Sequence, residues 1–348
     1  MTPRATVRVL EVLDPPDGTT RYVDQLVFAL PDDVEIEYFT WRKALFSAYD
    51  VLHVHWPERL TRARGGRLRT LAVRFAACAL LARLAVTGTG LVRTEHNPDP
   101  HERGGRWESW LLGLLRRRAT VSVRINPTTP PHPSARDALV LHGHYREVFG
   151  ELEREAPRPG RLVYFGIIRD YKGVDRLLDA FAGVRAEASL RLVGRPHTTQ
   201  WRERVERAVA SDPRTSARLE FVDDDELVRE VSAAELVVLP YRELHNSGTL
   251  LVALSLDRPV LVPRTASTVE LANEVGPGWV HLFDGELTSE VLETALASAR
   301  SSRPAGRPAL EGRDWERVSV AYAEVFRLAA RGHRTTRAAG RLEEGRTG

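Results

Sequence analysis

Short apolar runs rich in β-branched residues alternate with amphipathic segments along almost the whole chain. In the first part of the chain, the runs typical of strands lie at residues 6–13, 34–39, 51–55, 90–95, 120–125 and 138–141. Segments with helical periodicity lie between them, among them 67–84 and 106–118. Alternation of this kind predicts a parallel sheet that is covered by helices on both faces.

A polar segment rich in Glu, Pro and Gly at residues 151–160 interrupts this pattern and predicts a linker. A second alternating series follows, with strands expected at 161–166, 190–194, 219–222, 236–240, 259–262 and 279–283. Its helices are expected at 173–186, 200–210, 224–233, 247–256, 267–275 and 288–300, with a last helix near 314–330.

The two series predict an α/β protein with two doubly wound, Rossmann-like domains that face each other across a cleft. The expected parts are an N-terminal domain 1–150, the linker 151–160, a C-terminal domain 161–313, a helix 314–331 and a basic tail 332–348 that frays. In open parallel sheets, ligands bind outside the carboxyl ends of the strands. The loops that follow strands are therefore where functional residues are expected.

Composition narrows the class of protein. Hydrophobic residues make up 43% and charged residues 28%, as in ordinary globular proteins. The net charge is only +3, because 50 basic residues are offset by 47 acidic ones, and with no nucleic-acid-reading motif this disfavours a nucleic-acid partner. The single cysteine, Cys78, excludes an intrachain disulfide, a zinc–cysteine cage and an iron–sulfur cluster.

The same features predict a cytoplasmic location. One thiol fits a reducing compartment, and the N-terminus lacks the apolar core of a signal peptide. The longest apolar run, 71–86, is interrupted by Arg74 and Arg83, so no membrane-spanning segment is expected. Arg-rich helices around 59–74 and 106–118 leave two interpretations open: a peripheral contact with anionic membrane, or a solvated helix face.

Two cations follow the first strand of the second series. Arg169 and Lys172 lie in the loop after the strand, and Gly173 opens the next helix. A guanidinium fork and a mobile ammonium together suit a diphosphate, and Lys172 is one of only two lysines in an arginine-rich chain. The alternative is a solvated turn that pairs with Asp170; the strand–loop–helix context favours anion binding.

A second anion site is predicted where a helix begins after the strand expected at 236–240. The residues Asn246, Ser247, Gly248 and Thr249 would direct main-chain N–H groups at a ligand there. An ordinary helix cap is the alternative. Location in the same domain as Arg169 and Lys172 favours one shared phosphate site.

In the first domain, His96 follows a strand and enters a polar loop, where it is a candidate for contact with substrate. His53 and His55 alternate with Val54 and are interpreted as packed residues. Gly18 would let the backbone approach a ligand closely. The carboxylates that could act as a general base in these loops, which the sequence does not rank, are Glu58, Glu95 and Asp99.

The segment 165–178, Phe-Gly-Ile-Ile-Arg-Asp-Tyr-Lys-Gly-Val-Asp-Arg-Leu-Leu, resembles the one that opens the donor domain of GT-B glycosyltransferases, in particular glycosyltransferase family 4. Similar segments follow in order at 192–196, 221–227, 236–240, 246–249 and 257–260, and 140–145 resembles the motif that precedes the interdomain linker. The resemblance covers most of residues 1–330, strongly in the second half.

The resemblance implies roles for these residues. Arg169 and Lys172 would bind the donor diphosphate, the 246–249 segment would lie at the phosphates or the donor sugar, and Gly18 would face the donor. His96 would contact the transferred sugar, and the last helix would cross back to the first domain. The family usually has two glutamates eight positions apart, where this chain has Leu244 and Val252. Candidates to replace them are Glu243 and Glu270.

The resulting hypothesis is a glycosyltransferase that moves a sugar from a nucleoside-diphosphate sugar to a saccharide or lipid-linked acceptor in polysaccharide or glycolipid synthesis, with no metal and no cofactor. In a retaining reaction the leaving phosphate would take the acceptor proton; in an inverting one, a first-domain carboxylate would. The alternatives are a non-catalytic GT-B-like partner subunit and a sugar-nucleotide epimerase.

Overall fold

A computed structural model of the chain describes residues 5–16, 21–62, 66–96, 105–242, 244–301, 304 and 306–344. By its internal contacts the chain divides into two units. Unit 1 comprises Met1–Gly143 together with Gly312–Gly348, and unit 2 comprises His144–Glu311.

Unit 1 contains a six-stranded parallel sheet in the order β2-β1-β3-β4-β5-β6. Its strands are β1 (Val7–Glu11), β2 (Val34–Tyr38), β3 (Val51–Val54), β4 (Gly90–Glu95), β5 (Val121–Arg124) and β6 (Arg136–Leu139). The helices between them are α1 (Arg21–Phe28), α2 (Trp41–Phe46), α3 (Arg67–Thr87) and α4 (Arg106–Arg118). Every residue of β3 is buried, as expected for a central strand with both faces covered.

Unit 2 contains a second six-stranded parallel sheet, in the order β12-β11-β10-β7-β8-β9. Its strands are β7 (Arg161–Phe165), β8 (Ser189–Val193), β9 (Thr215–Arg218), β10 (Leu236–Val238), β11 (Val260–Pro263) and β12 (Val280–Phe283). Its helices are α5 (Val174–Ala182), α6 (Thr199–Ser211), α7 (Asp224–Ser232), α8 (Gly248–Ser255), α9 (Ala266–Val275) and α10 (Ser289–Ser301). The strand order reverses between β7 and β10, and such a reversal is where doubly wound sheets bind ligands.

The α/β architecture with two parallel sheets is thus confirmed, and the deviations fall at the sheet edges. Strand β9 occupies Thr215–Arg218 rather than the expected 219–222. It is the last strand of its sheet, so it needs only a few buried side chains and tolerates polar ones. The apolar run that follows lies outside the strand, and Phe221 within it is 69% exposed.

The last helix, α11 (Trp315–Glu344), belongs to unit 1 and packs on β4, β1 and α1. It continues through the segment expected to be a fraying tail from residue 332. Its own residues Tyr322, Phe326 and Ala329 are fully buried. A Cβ at Gly90 would lie 2.8 Å from the carbonyl oxygen of Ala329, so the helix approaches the sheet backbone closely.

The segments around residue 150 pack on unit 2. The Tyr145 N–H donates to Ser255 Oγ over 2.9 Å. Within the predicted linker, the N–H groups of Glu155 and Gly160 donate to Ser232 and Glu235 at 2.8 and 2.5 Å. The chain therefore passes from unit 1 to unit 2 at residue 143 rather than at 150, and it returns at residue 312.

Helix α3 is long and apolar enough to cross a membrane by length and composition, and most of it is exposed. The two arginines expected to interrupt this run bind protein groups instead. Arg83 donates to the carbonyl oxygens of Ala44, over 2.6 Å, and Ser47. The Arg74 guanidinium lies 4.9 Å from the centre of the Trp107 ring.

Candidate active site

In unit 2, the loop after β7 carries the two predicted cations. Arg169 is half-buried, and its Nε is buried with no hydrogen-bond partner among the described residues. Lys172 lies in a 3-10 turn that ends at Gly173, whose φ is +65°. A Cβ at Gly173 would collide with the carbonyl oxygen of Pro240, so this close approach requires glycine.

Contacts join this loop to the one that follows β10. Lys172 Nζ donates to the Tyr241 hydroxyl over 2.5 Å and lies 4.0 Å from the centre of that ring. The Arg242 N–H donates to the Tyr171 carbonyl oxygen over 2.8 Å. Arg242 Nε donates to the Asp170 carbonyl oxygen over 3.0 Å. The two loops therefore form one surface at the point where the strand order reverses.

Helix α8 begins at the same edge of the sheet. Ser247 caps it, accepting from the Leu250 N–H at 3.3 Å. Thr249 lies beside the end of β7, where a Cβ at Gly166 would be 3.9 Å from Thr249 Oγ1. The structure thus brings the start of α8 to the strand that leads to Arg169 and Lys172. Two cations and a helix N-terminus at one sheet edge can hold a diphosphate.

The structure says less about the glutamates that were candidates to replace the family's pair. Glu270 is exposed on α9, and Ser267 in the first turn of that helix donates to the Leu244 carbonyl oxygen over 3.4 Å. Leu244 and Val252 are both buried. Three residues predicted from the sequence, Gly18, Asp99 and Glu243, lie outside the described residues.

In unit 1, the carboxyl ends of β1, β3 and β4 bring a carboxylate and three histidines together. Glu11 Oε1 accepts from His53 Nδ1 at 2.6 Å, and Glu11 Oε2 lies 3.6 Å from His55 Nε2. His55 Nδ1 is 2.9 Å from His96 Nε2. The His96 ring stacks on Trp56, with 4.8 Å between centroids. We call Glu11, His53, His55 and His96 the histidine cluster.

The electrostatics of the histidine cluster favour one buried negative charge. Burial by itself raises the pKa of Glu11, but the charge and hydrogen bonds of His53 and His55 outweigh it and lower this pKa to about 2. Burial, assisted by repulsion from His53, lowers the pKa of His55 to about 4. Burial and the neighbouring histidines also lower the pKa of His96 well below its usual value. Glu11 is therefore ionised at neutral pH, and both His55 and His96 are neutral.

Glu11, His53 and His55 are also spaced closely enough to suggest a metal site, since their ligand atoms lie within 4.8 Å of one another. However, Glu11 Oε1 and His53 Nδ1 are only 2.6 Å apart, the distance of a charge-assisted hydrogen bond. Two ligands of a tetrahedral ion with bonds of about 2.0–2.2 Å would stand farther apart. The geometry is that of a hydrogen-bonded carboxylate–imidazole pair.

A buried hydrogen-bonded chain connects the histidine cluster to α11. His53 Nε2 is 2.9 Å from Thr94 Oγ1, which is 2.9 Å from the Tyr322 hydroxyl. That hydroxyl is 2.8 Å from the hydroxyl of Tyr22 on α1. Sequence reasoning missed Glu11, Tyr22 and Tyr322; an acidic residue inside the apolar run Val7–Leu13 was the available signal for Glu11.

The candidate bases Glu95 and Glu58 have different surroundings. Glu95 is paired with Arg93 at 3.0 Å and accepts from Ser122 Oγ at 3.3 Å. Glu58 lies half-buried in the 3-10 turn Pro57–Leu60. The carboxylate of Glu95 is therefore already engaged by two protein groups.

Comparison with known proteins identifies the family of this chain. The sequence pattern of the family described as "Glycosyl transferases group 1" matches residues 159–296. A protein of Xanthomonas campestris pv. campestris, "GDP-mannose:glycolipid 4-beta-D-mannosyltransferase", is 48% identical over 325 residues, which cover 93% of this chain and 92% of that protein. This chain belongs to the group 1 glycosyltransferases.

Solved structures agree on the fold of this group 1 glycosyltransferase. Anabaena HepE in complex with UDP and glucose is similar with a TM-score of 0.64 and 14% identity, over 92% of this chain and 99% of that one. Sucrose-phosphate synthase from Thermosynechococcus elongatus has a TM-score of 0.64 and 14% identity, over 93% and 98%. The predicted GT-B fold is confirmed.

The 48% identical relative and the matching family also confirm the predicted activity class, which is sugar transfer from a nucleotide sugar. They favour it over a non-catalytic subunit. The roles of individual residues in this group 1 glycosyltransferase remain predictions: diphosphate binding by Arg169, Lys172 and the 246–249 segment, and sugar contact by His96.

Proposed function

We propose that this chain transfers a mannosyl group from GDP-mannose to a lipid-linked saccharide and forms a β-linkage. The observation that carries the proposal is the 48% identity, over 93% of the chain, to a protein named for this reaction. An alignment over 325 of the 348 residues extends into both units.

The surface of unit 2 supplies the chemistry that such a donor needs. When the bond between sugar and diphosphate breaks, negative charge grows on the leaving GDP. Arg169, Lys172 and the first N–H groups of α8 stabilise that charge, because they lie at one sheet edge before the reaction begins. The Nε of Arg169 is buried and has no partner in the part of the chain that the structure describes, so it is ready to donate to an anion.

The stereochemistry follows from the two linkages. GDP-mannose carries its mannose in an α-linkage, so a β-linked product requires inversion at the anomeric carbon. Inversion is a single displacement by the acceptor hydroxyl from the opposite face. The protein must then offer a group that takes the hydroxyl proton.

Donor choice is tested by thermal unfolding with GDP-mannose, UDP-glucose and other activated sugars. GDP-mannose at 100 times its dissociation constant should add about 2.7 kcal/mol to the free energy of unfolding. Products formed on synthetic lipid-linked saccharides are then digested with α- and β-mannosidase. Stabilisation by UDP-sugars alone, or a product cleaved only by α-mannosidase, would refute the proposal.

We also propose that the protein works at the cytoplasmic surface of a membrane, held peripherally by α3 and α4. Helix α3 is anchored in unit 1 by Ala77, Leu80 and Leu84. Its other face exposes Leu68 by 84% and Phe75 by 76%. Trp110 on α4 is also exposed, and Arg116–Arg118 close that helix. An apolar stripe with basic residues nearby is suited to the boundary of anionic lipid.

The double variant L68E/F75E should bind vesicles containing phosphatidylglycerol at least tenfold more weakly in a flotation assay. Each apolar side chain that loses its lipid contact costs about 1.5–3 kcal/mol. V320E is the matched control, because Val320 is 49% exposed on α11, which packs on α1. The crossovers place α1 and α3 on opposite faces of the sheet. Equal binding by both variants would contradict the assignment of α3.

A further inference from the structure

The strand order of the unit 1 sheet reverses between β1 and β3, because the chain leaves β1 towards β2 and then crosses back to β3. In open parallel sheets, such a reversal opens a crevice at the carboxyl ends of the strands, and ligands bind there. The described residues that follow these two strands are 12–16 after β1 and 55–62 after β3. These two loops are therefore where a ligand of unit 1 is expected.

The ring of Trp56 lies in the loop after β3 and is half-buried. It stacks on the His96 ring at an interplanar angle of 17°, and its centroid is 5.7 Å from that of the His55 ring. These two imidazoles contact each other at 2.9 Å, and Glu11 Oε2 lies 3.6 Å from His55 Nε2. The histidine cluster therefore holds the indole in a fixed orientation.

Two polar groups beside this ring can bind a ligand. Trp56 and Glu58 are both half-buried, so part of each side chain is exposed. In the part of the chain that the structure describes, no residue accepts from Trp56 Nε1 and none donates to the Glu58 carboxylate. The charge of Glu58 also acts on Arg93, which is itself paired with Glu95 at 3.0 Å.

The charges of the two loops suit a neutral ligand better than a phosphate. Arg59 is paired with Asp14, and Arg62 is paired with Glu108 at 3.0 Å. Glu58 is then the charged side chain of this loop that has no ion pair among the described residues, and its charge repels an anion. The corresponding edge of unit 2 differs, since it carries two cations.

A saccharide has groups complementary to such a surface. One face of a pyranose ring carries C–H groups with slight positive charge, and the face of an indole is electron-rich. Sugar hydroxyls donate to a carboxylate and accept from an indole N–H. A ring that is already held in place loses little conformational freedom when a ligand stacks on it.

We propose that Trp56 and Glu58 form a subsite for the acceptor saccharide, in which a pyranose ring stacks on the indole and a sugar hydroxyl donates to the carboxylate. The inference rests on the proposed transfer to a lipid-linked saccharide and names the side chains of unit 1 that bind it. The histidine cluster acts through Trp56, whose ring it supports.

Binding is measured in full-length protein labelled with 5-fluorotryptophan, in which Trp56 is one of seven tryptophans. The Trp56 fluorine signal, assigned by its loss in W56F, should shift when octyl β-cellobioside is added. Octyl tetraethylene glycol, which has the same tail and no sugar, should leave the signal in place. The Trp41 signal is the matched control, because that ring packs edge-on against Phe39 at 5.1 Å. No shift with the disaccharide, or equal shifts with both probes, would overturn the subsite.

The role in transfer is measured with GDP-mannose and the synthetic lipid-linked saccharide on which wild type is most active. W56L keeps an apolar side chain but removes the flat ring, so it should raise the KM for the acceptor at least tenfold. W56F keeps a flat ring and should stay within threefold of wild type. The KM for GDP-mannose should change less than twofold in both variants.

W41L is the matched control for W56L, because Trp41 is also half-buried in unit 1 and packs against its hydrophobic core. It should leave the acceptor KM within twofold of wild type. An equal rise in W41L and W56L would indicate general damage to unit 1 and would refute the assignment of Trp56.

Glu58 is tested by E58A, which should raise the acceptor KM about fivefold and leave kcat within threefold of wild type. The acceptor then loses one hydrogen bond but keeps its position on the indole. A kcat lowered a hundredfold at unchanged acceptor KM would make Glu58 a proton acceptor in the reaction rather than a binding residue, and would overturn its place in the subsite.

The outcomes separate this inference from the proposed function. If the wild-type protein transfers no mannose from GDP-mannose to any synthetic acceptor, the proposed function fails, and the fluorine titration still decides whether Trp56 binds a saccharide. If wild type is active and W56L has the acceptor KM of wild type, the inference fails and the proposed function stands.

Discussion

Replacement of Arg169 or Lys172 by alanine is expected to lower kcat/KM for sugar transfer by about a hundred- to a thousandfold, the range seen when one donor to a developing oxyanion is removed. Arg169 carries a buried Nε with no partner among the described residues, and the Lys172 ammonium is held by Tyr241 at 2.5 Å. The ammonium of Lys172 is therefore held in place, and both cations follow the strand whose end lies beside Thr249 at the start of α8. Their loss leaves the charge of the departing diphosphate uncompensated.

The measurement is steady-state kinetics with calorimetric binding of GDP. R207A is the matched control, because Arg207 is exposed on α6 and should leave kcat/KM unchanged. Y241F removes only the hydroxyl partner of Lys172, so its kcat/KM should fall between wild type and K172A. Wild-type turnover in both R169A and K172A would remove the basis for a diphosphate site at this sheet edge.

The variant W315A should lose about 3–5 kcal/mol of unfolding free energy, the usual result when a buried tryptophan is truncated. Trp315 is 2% exposed at the start of α11. Its ring lies 5.4 Å from Tyr22 and 6.3 Å from His142, and its close approach to residue 143 leaves no room for a Cβ on Gly143. The cavity would open next to Tyr22, whose ring also contacts the ring of His96.

Urea unfolding followed by tryptophan fluorescence and circular dichroism measures this loss. V320A on the same helix is the control, and because Val320 is 49% exposed it should cost less than about 1 kcal/mol. Similar unfolding midpoints for W315A and V320A would mean that α11 contributes little to unit 1.

The sequence predicted central elements better than edge elements, for a physical reason. A central strand such as β3 is buried on both faces, so its apolar run is unmistakable. Edge strands β6 and β9 contain mostly polar or small residues. The sequence pattern therefore placed these strands at the nearby apolar runs, 138–141 and 219–222. The short helix α2 follows β2 directly and has too few residues for a periodic pattern.

The donor-side residues were predictable because they are local: Arg169, Lys172 and Gly173 lie in one loop with a strand before it and a helix after it. The histidine cluster was not, because it depends on contacts between residues distant in sequence. His53 and His55 share a strand face as expected, yet their partners Glu11 and His96 come from neighbouring strands some 40 positions away. Only sheet order reveals that β1, β3 and β4 are adjacent.

The return of the chain to unit 1 at residue 312 has a consequence for biosynthesis. While the ribosome makes unit 2, the sheet of unit 1 still lacks Tyr322 and Phe326, which later cover it. That apolar surface of nascent unit 1 stays uncovered until α11 has left the exit tunnel. A product that terminates before α11 therefore lacks the Tyr322 hydroxyl next to Thr94, so the histidine network is completed only after α11 has been translated.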